Sequence, residues 1–493
     1  MVTKQSASQA TRRRGAGGTS KRKTESAGPG SPTSAQGPLS QGSLHQTVAA
    51  RQEMAKALRE KCPRKSLGGW RPGKDRRDPI DILIETSKGR VKSLVPIRYA
   101  RMLASPFAFY RGGAAIMASD LSTTASTGLH LQVCGDCHLV NFGGFATPER
   151  KLVFDINDFD ETTIGPWEWD IKRLCASLVV ASRANGFSAD DARGVAREAA
   201  SSYRDHLAEY AAMPLFDAWY DHIDLEAVID RVQDQQMKKL ATRSVRKATE
   251  YTAHTKEFTK LTMTGGSPAR IQDQPPLIYH DAELQEIVSA EERARAFAGY
   301  RASLLPERRV LLDRFEPADA AVKVVGVGSV GTYCGIILLV SGNGDPLFLQ
   351  FKEARESVIE PFVGRNPYSH QGQRVVAGQR LMQSASDIFL GWTEGSERHY
   401  YLRQLRDAKV SPQIELMTPS NLRRYGRLCA HTLARAHARS GDAVLLTAYL
   451  GKSDVFADAI TSFSVAYADQ NDRDHAALVK AARAGRIEVA AIN

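Results

Sequence analysis

The chain has 493 residues, of which 42% are hydrophobic and 25% charged, and this composition is ordinary for a globular protein. The length is sufficient for two or three domains or for one two-lobed enzyme. No apolar run approaches the roughly 18 residues that span a membrane, and the N-terminus lacks a secretory signal, so we expect a cytoplasmic protein. The net charge of +11 is carried by the N-terminal part, 1–74, with 15 Lys/Arg against 3 Glu, whereas the remaining charges nearly cancel. The charge therefore does not indicate specific nucleic-acid binding by the folded body.

The N-terminal residues, 1–75, are predicted to be a disordered basic tail. Up to about Gln46 they are rich in Ser, Gly, Ala and Pro, and they carry RRR and KRK clusters. Such a tail can contact polyanions weakly and without specificity. The six cysteines are too scattered along the chain for a disulfide framework, and we expect six thiols.

Helical periodicity dominates the first part of the body, interrupted by two strand patterns. The strands are "LHLQV" (129–133), which leads into a motif discussed below, and "KLVFDINDF" (151–159), which ends in an acidic turn. The predicted helices cover 98–104, Ile171 to about Met213, Leu225 to about Thr249, and Ala282 to about Leu304.

The pattern changes near residue 320. Three short β-rich runs are joined by "GVGSVG" and by "SGNGDP", a turn signal, and this predicts an antiparallel meander. The Thr418-Pro419 pair marks the start of a helix that ends at Gly441. The predicted segments are strands Val322–Val327, Tyr333–Val340, Leu347–Lys352 and His399–Leu405, and helices Gln371–Ser384, 419–440, 454–468 and 473–484.

These elements predict an α+β protein with two lobes. Residues 76–315 would form a helical lobe, 316–410 an antiparallel sheet lobe, and 411–493 the helices that complete the helical lobe.

The stretch "CGDCHLVNFG" (134–143) admits three interpretations. Cys134, Cys137 and His138 fit C-x-x-C-H, the pattern of a covalently attached haem, and the two cysteines alone fit a redox pair. Asp136 and Asn141 fit the catalytic loop of a phosphoryl-transfer enzyme. The absence of an export signal disfavours haem, and the lack of helical periodicity after Cys134 disfavours the redox pair.

Phosphoryl transfer needs a carboxylate base, oxygen ligands for Mg²⁺, a backbone loop over the phosphates and a lysine. Each motif alone has an ordinary structural explanation, such as a polar turn, an acidic loop, a glycine-rich hairpin or a solvated lysine. The candidates are Asp136 as base, Asn141 and Asp158 as metal ligands with Asp160 and Glu161 as rivals of Asp158, and Gly326, Gly328, Ser329, Gly331 and Lys352 as the phosphate-binding residues.

"CGDCHLVNFG…VFDINDFDETTIGPWEWD" resembles the core motif of aminoglycoside-phosphotransferase-like kinases. The likeness rests on Gly135, Asp136, His138, Asn141, Asp158, Gly165 and Asp170. It implies a protein-kinase-like fold that binds ATP and Mg²⁺, with Asp136 as base, Asn141 and Asp158 as metal ligands, and Asp170 as a structural residue.

Over nearly its whole folded length the chain also resembles bacterial domain-of-unknown-function family two-two-five-two, through "SPFAFYRGGAA", "GVGSVG", "QGQRVVAGQRLMQ" and "LARAHARSGD" among other stretches. That resemblance implies a shared fold and no reaction. The glycine loop and lysine lie far downstream of the catalytic loop, the reverse of the order in protein kinases. We therefore expect a circular permutation, with "LARAHARSGD" as the helix that normally leads into the catalytic loop.

Two departures from the kinase pattern bear on activity. Cys134 replaces the usual histidine, and the helix at 371–384 offers no glutamate to Lys352. The partner of Lys352 would then be Glu353, Glu356, Glu360, Gln373 or Gln379.

The sequence thus predicts an ATP–Mg²⁺-dependent phosphotransferase acting on a hydroxyl of an unidentified acceptor, a small molecule more readily than a protein. The alternatives are a non-catalytic nucleotide-binding pseudokinase or regulatory module, and nucleotidyl transfer on the same fold. Arg111 and Arg403, both beside aromatic residues, are interpreted as structural, with phosphate contact as the alternative. His437 is interpreted as a packed or capping residue.

Overall fold

The described part of the chain contains a six-stranded antiparallel sheet, two small antiparallel sheets and a larger set of helices. The computed structural model describes residues 45–250, 269–275, 277–280, 289–324, 326, 328, 330–395, 397–405 and 409–491. Helices and antiparallel strands coexist in one folded unit, which confirms the α+β class. No helix among the described residues is long and apolar enough to cross a membrane.

Part of the predicted tail is folded. Helix α1 begins after Thr47, whose hydroxyl accepts from the Ala50 amide, and Trp70 is buried. Disorder over 1–75 is therefore wrong from residue 48 onward, because basic side chains there bind the end of another helix: Arg59 and Arg64 donate to the carbonyls of Tyr449 and Leu450. The N-terminal helices are α1 (Val48–Lys61), α2 (Pro79–Ser87), α3 (Val95–Leu103), α4 (Pro106–Gly112) and α5 (Ala114–Leu121), with 3₁₀ turns at Arg64–Gly68 and Lys92–Leu94.

Both predicted strands are present, and each pairs with a short partner. The helical pattern from Ile171 is two helices, because Gly186 adopts a φ of +74° and breaks the run. This part contains β1 (His130–Val133), β2 (Phe142–Ala146), β3 (Leu152–Ile156), β4 (Thr163–Pro166), α6 (Trp167–Ala184), α7 (Ala189–Ala212), α8 (Leu215–Tyr220), β5 (Ile223–Asp224), α9 (Leu225–Asp230) and α10 (Gln235–Glu250), with a 3₁₀ turn at Leu139–Asn141. Strand β1 pairs with β4, and β2, β3 and β5 form a second small sheet.

The predicted meander is confirmed as the centre of the larger sheet, but its first strand is Phe315–Lys323 and not Val322–Val327, of which Val325 and Val327 lie outside the described residues. Its strand order is β10-β11-β9-β8-β7-β6, with every neighbouring pair antiparallel. Two helices that precede it in sequence pack on it, so Tyr300 and Leu312 share a core cluster with Leu339. The elements are β6 (Ile278–Tyr279), α11 (Ala290–Ser303), α12 (Pro306–Leu312), β7 (Phe315–Lys323), β8 (Cys334–Ser341), β9 (Pro346–Ala354), α13 (Glu360–Val363), α14 (Gln371–Met382), β10 (Gly391–Glu394) and β11 (His399–Gln404).

Three C-terminal helices close the chain: α15 (Pro419–Ser440), α16 (Ala443–Leu450) and α17 (Val455–Arg483), after a 3₁₀ turn at Ile414–Leu416. The predicted cap is confirmed, since the Thr418 hydroxyl accepts from the Asn421 amide. The two helices predicted at 454–468 and 473–484 are one, because the residues between them include no proline or glycine and Arg183 pairs with Asp469 and Asp472 along that stretch. Helix α16 was not predicted.

Helix α6 is the centre of the helical core. Nearly all of its residues are buried, and Trp167 stacks on Tyr203 of α7 with ring centroids 6.0 Å apart. The end of α15 reaches strand β1, where the Ser440 hydroxyl donates to the Gln132 carbonyl at 3.0 Å. Helices α6 and α15 thus fix the strand that leads into residues 134–141.

Candidate functional site

A cleft of about 880 Å³ lies between the large sheet and the helical core. Its walls come from the loop after β1, the segment after β3, strands β9 and β11, and the turn between β7 and β8. Six of the predicted site residues line it: Asp136, Asn141, Asp158, Gly326, Gly328 and Lys352. Segments that are distant in sequence, such as those of Asp136 and Lys352, therefore contribute to one cavity.

The loop after β1 is held by Asp170 at the start of α6. Its carboxylate accepts from the backbone N–H groups of Cys134 and Gly135, at 2.8 and 3.0 Å. Gly135 has a φ of +83°, and a Cβ there would lie 2.3 Å from the Glu161 carbonyl oxygen, so only glycine fits. His437 packs behind this contact, bonded to the Tyr203 hydroxyl and 3.3 Å from Asp170. The structural interpretations of Asp170 and His437 are confirmed.

Asp136 is oriented by an arginine that the sequence did not single out. Arg173, two turns into the same buried helix α6, donates from Nε to Asp136 Oδ1 at 2.6 Å. The side-chain amide of Asn141 donates to the Asp136 carbonyl at 2.8 Å. His138 Nε2 lies 3.9 Å from Asp136 Oδ2, and burial lowers the pKa of His138 to about 3, so this ring is neutral. Asp136 is therefore fixed on its Oδ1 side, facing the cleft.

Lys352 bridges the sheet and the segment after β3. Its Nζ lies 2.8 Å from Asp160 Oδ2 and 3.8 Å from Asp158 Oδ1, while the Tyr401 hydroxyl donates to Asp160 Oδ1 at 2.6 Å. Burial lowers the pKa of Lys352, but the two carboxylates outweigh burial and raise the pKa well above its usual value. Burial and the Asp160 carboxylate raise the pKa of Asp158.

Three of the predicted partners of Lys352 are wrong, because Glu353, Glu360 and Gln379 contact other side chains. Glu353 pairs with Arg398 at 2.7 Å, Glu360 lies 3.6 Å from Arg374, and Gln379 donates to Gln383. Asp160 takes the place of the expected glutamate, because strand β9 runs directly over the segment that follows β3. The signal was present in the sequence as "DFD", two carboxylates one residue apart beyond a buried strand.

Helix α14 contributes a buried arginine instead of a glutamate. Arg374, 1% exposed, donates to the carbonyls of Thr162, Asp160 and Arg355, the last two at 2.9 and 2.7 Å. The helix thereby holds the backbone of the acidic segment against the sheet.

The glycine-rich turn joins the antiparallel neighbours β7 and β8, as predicted for the meander. Gly326 and Gly328 line the cleft, whereas Gly331, with a φ of +86°, packs on Arg90 and accepts from the Val91 amide. Ser329 lies outside the described residues.

The cysteines of the C-x-x-C are buried thiols. Burial raises the pKa of Cys134 well above its usual value and that of Cys137 to about 11, so neither is a ready thiolate for redox chemistry. No helix starts at Cys134; β1 ends just before it. All six cysteines are buried and free, as expected.

One model of a protein family matches residues 90–481 of the chain, and its description is "Uncharacterized protein conserved in bacteria (DUF2252)". No curated protein and no solved structure matches the chain. The matched residues include the loop after β1, the acidic segment, the glycine-rich turn and Lys352. The chain belongs to this family of uncharacterized bacterial proteins.

Proposed function

We propose that the protein is a kinase-like phosphotransferase that uses ATP and Mg²⁺ to phosphorylate a hydroxyl of a small-molecule acceptor. The observation that carries the proposal is the 3.8 Å distance between Lys352 Nζ and Asp158 Oδ1, in the cleft that also holds Asp136 and Asn141. A lysine and a metal-binding aspartate must face the same phosphates in such an enzyme. Had these two residues been in separate cavities, the proposal would have failed.

In the proposed reaction, the acceptor oxygen bonds to the γ-phosphorus of ATP, the bond from that phosphorus to the β-bridging oxygen breaks, and ADP leaves. Asp136 takes the hydroxyl proton. The contact with Arg173 occupies Oδ1 and leaves Oδ2 to receive the proton. Lys352 and the backbone around Gly326 and Gly328 would bind the phosphates.

The residues fit a divalent cation. Asp158 and Asp160 both lie within 4 Å of the Lys352 ammonium group. Burial and the neighbouring Asp160 carboxylate raise the pKa of Asp158, and a bound cation would stabilise the charged carboxylate against both effects. The Asn141 side-chain N–H donates to the Asp136 carbonyl, which leaves the amide oxygen, a hard ligand, for the metal. When bound, Mg²⁺ would neutralise and orient the phosphates.

A permuted kinase fold is part of the proposal. In the ordinary order a helix runs directly into the strand before the catalytic loop. Here α15 follows strand β1 in sequence, but its end lies against that strand. The Ser440 hydroxyl donates to the Gln132 carbonyl, and a Cβ at Gly441 would lie 2.6 Å from Leu131 Cδ2. This contact supports "LARAHARSGD" as the counterpart of the helix that leads into the loop.

A nucleotide-binding module without turnover is the second candidate. The observation that favours it is the ion pair between Arg173 and Asp136: Nε donates to Oδ1 at 2.6 Å and a terminal nitrogen lies 2.5 Å from the same oxygen, so this carboxylate already has a structural partner.

Thermal unfolding with ATP, with and without Mg²⁺, tests the binding site. We expect ATP–Mg²⁺ to raise the melting temperature of the wild type and to have little effect on Asp158→Ala. Lack of any nucleotide response in the wild type would refute the proposal. ATP consumption in the presence of a metabolite mixture then separates the two candidates: turnover that disappears in Asp136→Asn identifies an enzyme, and binding without turnover identifies the module.

A further inference from the structure

Arg111 is a cation in the cleft that has no hydrogen-bond or ion-pair partner among the described residues. Among the described residues, no side chain or backbone group forms a hydrogen bond or ion pair with its guanidinium, and its Nε is buried and unsatisfied. Burial lowers the pKa of Arg111, while the nearby charges of Asp136 and Asp158 oppose that effect. Arg111 is half-buried, and its Nε is a buried donor without an acceptor among the described groups. Such a donor is costly, and it persists where a ligand supplies the missing contact.

Arg111 lies next to the glycine-rich turn. Its terminal nitrogen lies 4.0 Å from where a Cβ at Gly326 would be, and its carbonyl oxygen lies 3.7 Å from the corresponding point at Gly328. The side chain therefore lies under the turn, on the side that faces Asp136 and Asp158.

The residues on both sides of Arg111 are tightly packed. Arg173 donates to the Tyr110 carbonyl at 3.1 Å and stacks over the Tyr110 ring at 4.6 Å, and the same guanidinium binds Asp136. On the other side, a Cβ at Gly112 would lie 2.7 Å from the sulfur of Met102. One arginine thus sets the spacing between Asp136 and Arg111, which is the arrangement expected of a preorganised site.

The cleft as a whole favours an anion. Among the described residues that line it, ten are Lys or Arg and six are Asp or Glu. Several of the cations are engaged by protein groups: Lys352 by carboxylates, and Arg355 by the carbonyls of Thr86 and Lys88. Arg111 has its donors available.

We infer that Arg111 is a phosphate-binding residue that holds the terminal phosphate of the nucleotide between the glycine-rich turn and Asp136. This inference rests on the proposed function and adds to it a contact that no kinase motif in the chain supplies. A guanidinium at that point binds the group being transferred and counters the negative charge on it, so it should discriminate ATP from ADP.

The test compares Mg²⁺-dependent binding of ADP and of an ATP analogue with an imido bridge between the β- and γ-phosphates, by calorimetry. In Arg111→Met we expect the affinity for the triphosphate to fall at least about tenfold and the affinity for ADP to change less than about twofold. Arg111→Lys should retain part of the preference. Arg193→Met, on the exposed face of α7, is the matched control and should bind both nucleotides like the wild type.

Stability without nucleotide gives a second readout. Because Arg111 has no partner to lose within the described part of the chain, Arg111→Met should melt at the wild-type temperature or above it. A melting temperature several degrees lower would make Arg111 a structural residue and overturn the inference. Unchanged nucleotide binding, or an equal loss for ADP and triphosphate, would overturn it too.

The remaining outcomes separate this inference from the proposed function. If the wild type binds neither nucleotide, the proposed function fails and the role of Arg111 fails with it. If Asp158→Ala loses nucleotide binding while Arg111→Met does not, the phosphotransferase proposal stands and only the assignment of Arg111 is wrong.

Discussion

The hydrogen bond by which His370 caps the start of helix α14 depends on pH. Its Nδ1 accepts from the Gln373 amide at 3.2 Å, and its ring stacks at 4.0 Å on His399, whose own Nδ1 accepts from the Gln371 amide. Burial, assisted by the neighbouring His399, lowers the pKa of His370 to about 4. A protonated imidazole has no acceptor, so the cap exists only with a neutral ring.

This contact predicts a loss of stability in mild acid. The pKa of His370 is below its unfolded value of 6.5, so its contribution is complete above pH 6.5 and lost as the pH falls toward about 4. The slope from this residue should be below about 1.4 kcal/mol per pH unit, since partial exposure screens the charge. His370→Asn keeps a capping acceptor without the titration, and urea unfolding at pH 7.5, 6 and 5 should give a flatter profile than in the wild type.

The control for that prediction is His222→Asn, which alters an exposed ring. Its profile should follow the wild type. If His370→Asn also loses stability in parallel with the wild type over this range, the cap is not the source of the pH dependence.

Helix α14 joins the sheet to the acidic segment through Arg374. Besides its three carbonyl acceptors, the guanidinium binds Gln371 Oε1 at 2.6 Å and lies 3.6 Å from the carboxylate of Glu360, which is 4% exposed. Removing the arginine would leave a buried carboxylate without its cation and several carbonyls without a donor.

We therefore expect Arg374→Met to lower the free energy of unfolding by about 3–5 kcal/mol. Arg374→Lys should recover only part of this loss, because one ammonium cannot reach all the acceptors that the planar guanidinium contacts. Chemical unfolding of the three proteins measures the difference. A loss below about 1 kcal/mol for Arg374→Met would mean that the acidic segment is held by the strands alone.

Local signals located most elements, while contacts between distant segments could not be inferred. Thr418 and Gly441 bound α15 because capping depends on neighbouring residues alone. The partner of Lys352 was sought among the residues that follow it closely in sequence, but Asp160 lies 192 residues away and meets it only when the sheet packs on the helical core. Arg173 and Arg374 resembled ordinary helix polar residues, since burial is set by tertiary packing and not by helical spacing.

Basic residues outnumber acidic ones both in the lining of the cleft and in the N-terminal sequence. Residues 1–44, which lie outside the described part of the chain, contain seven Lys/Arg and one Glu, more than half of the net charge of +11. The basic residues of α1 and the turn after it belong to the folded unit, where Arg59 and Arg64 bind helix-end carbonyls. Contact with polyanions is therefore a property we propose for residues 1–44 and not for the whole of 1–75.

Deleting residues 1–44 should abolish retention on heparin at about 0.1 M salt and leave the melting temperature and the ATP–Mg²⁺ response unchanged, because the first described helix begins at Val48 and the described lining of the cleft begins at Thr86. A full-length variant with Arg12–Arg14 and Lys21–Lys23 replaced by glutamine keeps the length and removes six charges. It should elute like the deletion. Heparin retention that persists in both proteins would mean that the polyanion site is the cleft, where the cations of the lining outnumber the carboxylates. In that case excess ATP–Mg²⁺ should compete with heparin for the cleft.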